Sequence, residues 1–279
     1  MKITLLGTGG PRPDPRRQGP ALVVAIGEER LLFDAGRGVA VQLLRAGVRL
    51  ADVNPVFITH HHYDHIGDLG DLILSTWLEG RRQPLRVYGP SGILEIVDGL
   101  IDHVYAKDIM FRSQGEPAVG GWKPVDAVQV DAGFVAETPR WRVTAQRVVH
   151  GNGLNIPPEL GWVALGYRVE AEGKVLAISG DTIDCAGLDL LAAGADALVQ
   201  DCYLADAEIT NPHAELLARH VHTSSGVVGK IAARNRVKTL VLTHFRAKSE
   251  ALMRSLEADV RRDWDGPLVL GEDLTVIDV

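Results

Sequence analysis

Apolar and polar positions along this chain change period repeatedly, and each change marks an element. Short strand-like runs fall at 3–6, 21–26 and 30–34, rich in Ile, Leu, Val and Phe, residues that suit a half-buried pleated surface. A helical repeat follows near 38–47, then a buried strand at 55–59 and an amphipathic stretch from Ile66 to Leu78. Leu85-Arg86-Val87-Tyr88-Gly89-Pro90 reads as a strand with a sharp stop, and Ser91 to Val104 carries apolar residues at helical spacing. A loop is expected through Trp122, after which alternating segments at 127–130, 133–137 and 141–149 predict a meander. Strands at 162–170 and 174–179 form a hairpin turning at Glu172-Gly173. The remainder predicts a helix near 186–193, a strand near 196–200, helices near 213–219 and 224–234, a strand at 239–243, a helix near 249–262 and closing strands at 268–270 and 274–277. Strands and helices thus recur in two similar halves. The pattern predicts an α+β protein built as a four-layer αββα sandwich, its loops gathered at one edge. No linker or repeat divides the chain, so one domain is expected over 1–279.

Composition narrows the setting. A chain of 279 residues that is 46% hydrophobic can bury a substantial core. No apolar run approaches the roughly 18–20 residues that span a bilayer, so no membrane partner is expected. The run Met1–Gly7 is too short for a signal-peptide core. Cys185 and Cys202 make no disulfide framework, and reduced thiols predict the cytoplasm. Both thiols read as inert packing. A net charge of −7 argues against a polyanionic substrate, because nucleic-acid enzymes normally display a basic stripe. The small clusters Arg81 and Arg82, and Arg234, Arg236 and Lys238, read as solvated faces. Arg12, Arg16 and Arg17 differ, since they lie in a Pro-rich loop where an arginine can meet an anionic leaving group.

The candidate chemistry sits where apolar strands stop. After Asn54-Pro55-Val56-Phe57-Ile58 comes Thr59-His60-His61-His62-Tyr63-Asp64-His65, which feeds four imidazoles and a carboxylate into one turn. Histidine is the commonest metal ligand, and carboxylates join it at hydrolytic zinc sites. His60 and His62 project to the same side of an extended stretch and can grip one ion, whereas Asp64 and His65 follow once the chain has turned. His150, Asp181 and His244 each close another apolar run. Seven candidate ligands are too many for one tetrahedral zinc. They divide naturally between two ions sharing a carboxylate, an arrangement with metals roughly 3.5–4 Å apart. Hydrolysis is the predicted chemistry. His61 and Tyr63 point away from the first ion, and His103, His213 and His220 read as satisfied core groups. Gly7-Thr8-Gly9-Gly10 lacks the spacing of a nucleotide loop and runs into Pro11.

His60-x-His62-x-Asp64-His65, then His150, Ser179-Gly180-Asp181-Thr182 and Thr243-His244-Phe245, in that order, resembles the metallo-β-lactamase superfamily of dinuclear hydrolases. Ile3–Gly10 and Leu31-Leu32-Phe33-Asp34-Ala35-Gly36 look like the same family's opening. The resemblance implies that His60, His62 and His150 hold one metal, that Asp64, His65 and His244 hold the other, and that Asp181 bridges them. It implies two divalent ions, zinc by family custom, with manganese, iron or nickel also suited to such ligands. Asp34 matches the family's buried aspartate, which orients a ligand histidine through its other N–H. Homodimers are common in the family.

Val221-His222-Thr223-Ser224 is similar to an element of the tRNA 3′-processing endonucleases (RNase Z) and their arylsulfatase and phosphodiesterase relatives. It implies that His222 stabilises charge on the reacting group or protonates the leaving oxygen, with Asp201 as its supporting carboxylate. Thr8-Gly9-Gly10-Pro11 and Val87-Tyr88-Gly89-Pro90 resemble the arylsulfatase and phosphodiesterase branch. The endonucleases carry a long tRNA-clamping arm between the third and fourth metal motifs. Here the predicted hairpin uses most of the interval from His150 to Asp181, so no arm fits. With the acidic charge, this points to a small anionic ester, an aryl sulfate or phosphodiester, and away from nucleic acid. In the implied mechanism a metal-bridging hydroxide, oriented by Asp64, attacks the ester while His222 assists. The alternatives are a lactone or carboxylic-ester hydrolase, a tRNA 3′-endonuclease and a non-catalytic metal-dependent sensor.

Overall fold

In the computed structural model, which describes residues 1–279 with the side chain of Phe134 excepted, the apolar runs pair into two seven-stranded sheets. The first is built from β1 (Lys2–Gly7), β2 (Ala21–Ile26), β3 (Glu29–Phe33), β4 (Val53–Phe57), β5 (Leu85–Gly89) and β6 (Val125–Gln129), neighbours in chain order. The second runs from β7 (Gly133–Glu137) through β8 (Trp141–Val148), β9 (Ala164–Ala171), β10 (Lys174–Ile178), β11 (Ala197–Asp201) and β12 (Leu240–Thr243) to β13 (Leu268–Leu270). Last comes β14 (Val276–Asp278), which returns to pair with β1, Lys2 opposite Asp278. In each sheet an antiparallel part gives way to a parallel one, at β3–β4 and at β10–β11.

The expected meander is corrected. β6 lies parallel to β5 in the first sheet, with Val87 opposite Ala127, whereas β7 opens the second. A period of two tells which face a residue occupies but not which strand lies beside it. The chain changes sheets at Gly133, whose φ of 120° is closed to most side chains. A second departure is the helix Ala106–Gly115, which falls in the expected loop; it buries no residue and leaves Met110 and Phe111 exposed, so no apolar stripe announced it.

Four layers follow from the faces. Between the sheets, Phe33, Phe57 and Val24 meet Tyr167, Val143 and Ile178. Outside the first sheet, Leu32 and Val56 are covered by the helices Val39–Arg45, Leu69–Leu78 and Ile93–Asp98. Outside the second, Ala177, Leu198 and Leu240 are covered by Ala186–Ala192, Ser225–Arg234 and Glu250–Arg261. This is the predicted αββα sandwich. Among the described residues no helix is long and apolar enough to cross a membrane.

Tyr167 ties the layers near the histidine-rich turn that follows β4. Its hydroxyl donates to the Ile58 carbonyl at 2.7 Å, and its ring lies 5.5 Å from Phe57. Tyr167→Phe keeps the ring but leaves that buried carbonyl without this donor, so it is expected to cost about 1–3 kcal/mol in chemical denaturation. An unchanged midpoint contradicts this.

Arg81 is also corrected: it is buried, and its guanidinium donates to the carbonyls of Gln83 (2.7 Å), Pro124 (3.1 Å) and Lys123 (3.2 Å). Arg234 fits the solvated reading, paired with Asp184 and Asp189. His103 and His213 are exposed and His220 half-buried, so none is a core group.

Candidate metal centre

The segments just beyond β3, β4, β8, β10, β11 and β12 converge on one edge of the sandwich. Their backbone is bent sharply there. Asp34 (φ 59°), Gly180 (φ 60°) and His244 (φ 61°) all take the left-handed conformation. At Gly180 a side chain is also excluded by space, because a Cβ would stand 2.7 Å from the Leu165 carbonyl oxygen. For Asp34 and His244 the conformation costs on the order of 1–3 kcal/mol and persists only where the surroundings dictate it. Asp34 shows how. Its backbone N–H donates to Phe57 O at 2.8 Å, and its carboxylate accepts from Thr59 N at 2.8 Å and Thr59 Oγ1 at 2.9 Å.

All seven predicted ligands come together. His60, His62, His150 and Asp181 form one set, and Asp64, His65 and His244 another, each with ligand atoms within 4.8 Å of one another. Asp181 is central to both: its Oδ2 lies 3.3 Å from His244 Nε2, 3.4 Å from His65 Nε2, 3.8 Å from His60 Nε2 and 3.9 Å from His150 Nε2. Asp64 Oδ2 is 3.3 Å from His244 Nε2 and 3.8 Å from His65 Nε2.

The partners on the outer side of the rings show what belongs inside. His65 Nδ1 donates to Asp34 Oδ2 at 2.8 Å and His150 Nδ1 to Val221 O at 2.7 Å. Thr59 Oγ1 already donates to Asp34, so it accepts from His60 Nδ1 at 3.0 Å. Each ring is thereby fixed with Nε2 as the inward lone pair. The His62 Nδ1 atom sits 3.1 Å from His60 Nε2 and 3.0 Å from His150 Nε2. In the metal-free chain His62 Nδ1 can donate to one of these nitrogens, and with an ion present all three can turn lone pairs to it. The donor set therefore fits divalent ions, and its nitrogen and oxygen atoms without thiolate fit the ions that the resemblance implied.

Protonation agrees. Burial holds His60 well below the ordinary imidazole range and brings His62 and His150 down to about 4, so all three are neutral, as metal ligands must be. His65 and His244 move up instead: burial opposes their charge, but Asp181 together with Asp34 or Asp64 outweighs it. Burial also opposes charge on Asp181, yet the surrounding imidazoles, His244 and His65 foremost, hold its carboxyl well below the usual range.

Asp34→Asn tests the outer partners. An amide facing His65 Nδ1 disfavours the tautomer that turns Nε2 inward, and metal affinity is expected to fall roughly 10–100-fold by calorimetric titration. Wild-type affinity contradicts the assignment.

His222 stands beside both sets and, with Asp181 and His244, forms a third, overlapping group whose ligand atoms also lie within 4.8 Å of one another. Its Nδ1 is 3.1 Å from Asp201 Oδ2 and 3.8 Å from Asp181 Oδ2, and Tyr203 stacks on its ring at 4.6 Å. The structure thus brings Asp201 to His222, as the resemblance implied. Gln200 Nε2 donates to Asp201 Oδ1 at 2.9 Å, and Thr223 Oγ1 to Thr182 O at 2.7 Å, which fixes the turn carrying the imidazole. Burial drives His222 down to about 4, and burial with Asp181 drives Asp201 up. Both directions belong to the metal-free site, where the charge of Asp181 acts on the pair, and one proton is shared across the His222 Nδ1–Asp201 Oδ2 contact. Among the described residues no hydrogen bond engages His222 Nε2.

The first-loop arginines divide. Arg16 pairs with Asp14, while Arg17 donates to Thr8 Oγ1 at 2.5 Å and Gly271 O at 2.7 Å and covers the Phe245 ring. Arg17 is structural and not free to meet an anion. The loop is held instead by Tyr63, whose hydroxyl donates to Pro11 O, and by Arg37, which donates to Gly10 O at 3.0 Å. Trp162 was not singled out by the sequence, yet its ring lies 4.7 Å from His62 and its Nε1 donates to His150 O at 2.7 Å. A tryptophan opening a predicted strand carries no signal for this. Cys202 is buried and Cys185 half-buried, and burial raises the Cys202 thiol.

A family model described as a beta-lactamase superfamily domain matches residues 29–245. Ribonuclease Z of Mycolicibacterium paratuberculosis is 35% identical over 287 aligned residues, covering 100% of this chain and 98% of that protein. The metallo-beta-lactamase fold protein YhfI of Bacillus subtilis superposes with a TM-score of 0.76 at 17% identity, covering 99% of this chain and 98% of its own. Human tRNase Z, short form, superposes with a TM-score of 0.74 at 24% identity, covering 100% and 99%. The family binds divalent metals, and this chain gathers a His/Asp cluster that could hold them. The chain is a hydrolase and belongs to the metallo-β-lactamase superfamily.

Proposed function

We propose that this chain, acting as one unit over residues 1–279, is a zinc-dependent phosphodiesterase that cleaves RNA, an endonuclease of the kind its full-length relatives are named for. The observation that carries the reading is the buried His222–Asp201 pair beside the seven-residue cluster. A ribose alkoxide is a poor leaving group and needs a donor as it departs, whereas an aryl sulfate expels a phenoxide that needs less help. Two divalent ions, when bound, supply water acidified toward a pKa of roughly 7 and positive charge beside the reacting oxygens.

The chain's own residues do the rest. Asp181 holds the two ligand sets together. Asp64 contributes its carboxylate to the second set and orients the attacking water. His222 Nε2–H donates to the oxygen on which charge develops, and Asp201 holds the ring so that this nitrogen carries the hydrogen. The buried Asp34 and Val221 carbonyl lock His65 and His150, so little reorganisation is needed at the moment of reaction.

The expectation of a small anionic ester and of no nucleic-acid partner is set second, because the relatives' names favour RNA. Two observations keep it as a second reading. The link from β8 to β10 is taken up by the segment 149–163, by β9 and by a tight turn, with no long clamping arm, and the net charge is −7.

A panel tests both. Metal-loaded protein is given 3′-extended precursor tRNA, bis(p-nitrophenyl) phosphate, p-nitrophenyl sulfate and a lactone, each with and without chelator. Chelator-sensitive cutting of the RNA is expected. Turnover of the small diester with intact RNA replaces this reading by the second, and turnover confined to sulfate or lactone removes the phosphodiesterase reading.

A further inference from the structure

A groove of about 500 Å³ lies beside the cluster, lined by Trp162, Val163, Leu154, Ile156, Pro157 and Asn152 among others. It belongs to none of the ligand sets, yet Trp162 touches both regions, with its indole 4.7 Å from the His62 ring and 5.8 Å from His60. The indole is fixed by its bond to His150 O, and Asn152 Oδ1 accepts from His150 N at 3.0 Å. One end of the groove is therefore built onto a ligand of the first set.

Resting on the phosphodiesterase reading, we infer that this groove binds a flat ring carried by one arm of the ester, a nucleobase in RNA, stacked against Trp162. Its size falls in the range of pockets that enclose one small organic group, roughly 300–1,000 Å³. The lining mixes apolar side chains beside Trp162, among them Leu154, Ile156 and Val163, with polar ones, Asn152, Gln129 and Ser91, a combination that suits the face and the polar edge of a base. A second phosphate suits it less, because its one guanidinium, Arg147, is engaged by Asp131. Aromatic stacking accepts any base, since every base offers a π face. Pro157 and Pro158 restrict the backbone of the facing loop.

The test uses binding, so that it does not depend on turnover. The metal-loaded chain is titrated calorimetrically with adenosine 5′-monophosphate and with ribose 5-phosphate, which lacks the base. The base is expected to tighten binding roughly 5- to 100-fold, the scale of one stacked base. Trp162→Ala is expected to bring the nucleotide's Kd to that of the sugar phosphate. Trp162→Phe, which keeps a ring but loses the bond to His150, is expected to keep most of the preference. Equal affinity of the wild type for both ligands overturns the groove assignment and leaves the phosphodiesterase reading standing. Loss of the preference in Trp162→Phe as well overturns the stacking. Failure of both ligands to bind overturns the phosphodiesterase reading and this inference with it.

Discussion

Asp181→Ala is expected to abolish turnover and to leave fewer than two ions bound per chain. Its Oδ2 atom lies within 3.9 Å of the inward nitrogens of His60, His65, His150 and His244, which belong to both ligand sets. No neighbouring carboxylate replaces it: Asp64 reaches the second set alone, and Asp201 faces His222. Without the shared oxygen, the imidazoles lose the one anion that balances charge between them. The drop in rate is expected to exceed the roughly 10²–10³-fold that one electrostatic donor supplies, because the acidified water is lost as well. Metal analysis and initial rates on the same preparation check this. Two ions retained with near wild-type rates contradict the assignment of Asp181.

His222→Ala is expected to behave differently, keeping both ions and losing roughly 10²–10³-fold in rate. The ring also groups with Asp181 and His244, but its Nδ1 is engaged by Asp201, and the other seven side chains supply the ligands of two ions without it. Removing it leaves Asp201 buried without its partner, which adds a stability loss of about 1–3 kcal/mol. Asp201→Asn separates the roles, since the amide keeps a donor toward Nδ1 and with it the Nε2–H tautomer. That variant is expected to lose less than His222→Ala. A His222→Ala enzyme with full activity ends this mechanism.

The first ligand segment was legible because its residues are adjacent in sequence and the strand before it fixes their spacing. Asp181 and His244 were legible for a related reason, each closing an apolar run whose strand sits inside a sheet. The order of these segments carried the fold as well. What stayed hidden depends on contacts distant in sequence. The sheet that β6 joins is set by β5, and Arg81 is buried by carbonyls at Lys123 and Pro124, which no local pattern reveals. The helix Ala106–Gly115 has no buried face to leave a period. Trp162 takes its importance from the carbonyl of His150 across a loop, and Arg17 is engaged by Gly271 near the other end of the chain.

The central claim is that one cluster of seven side chains works as a pair of metal sites. The most direct measurement is a zinc titration of the metal-free chain, with bound ions counted by native mass spectrometry and phosphodiester cleavage measured at each step. Two ions per chain are predicted, with activity rising mainly as the second is taken up. Saturation at a single ion with full activity, or cleavage that persists in the metal-free chain, contradicts the account.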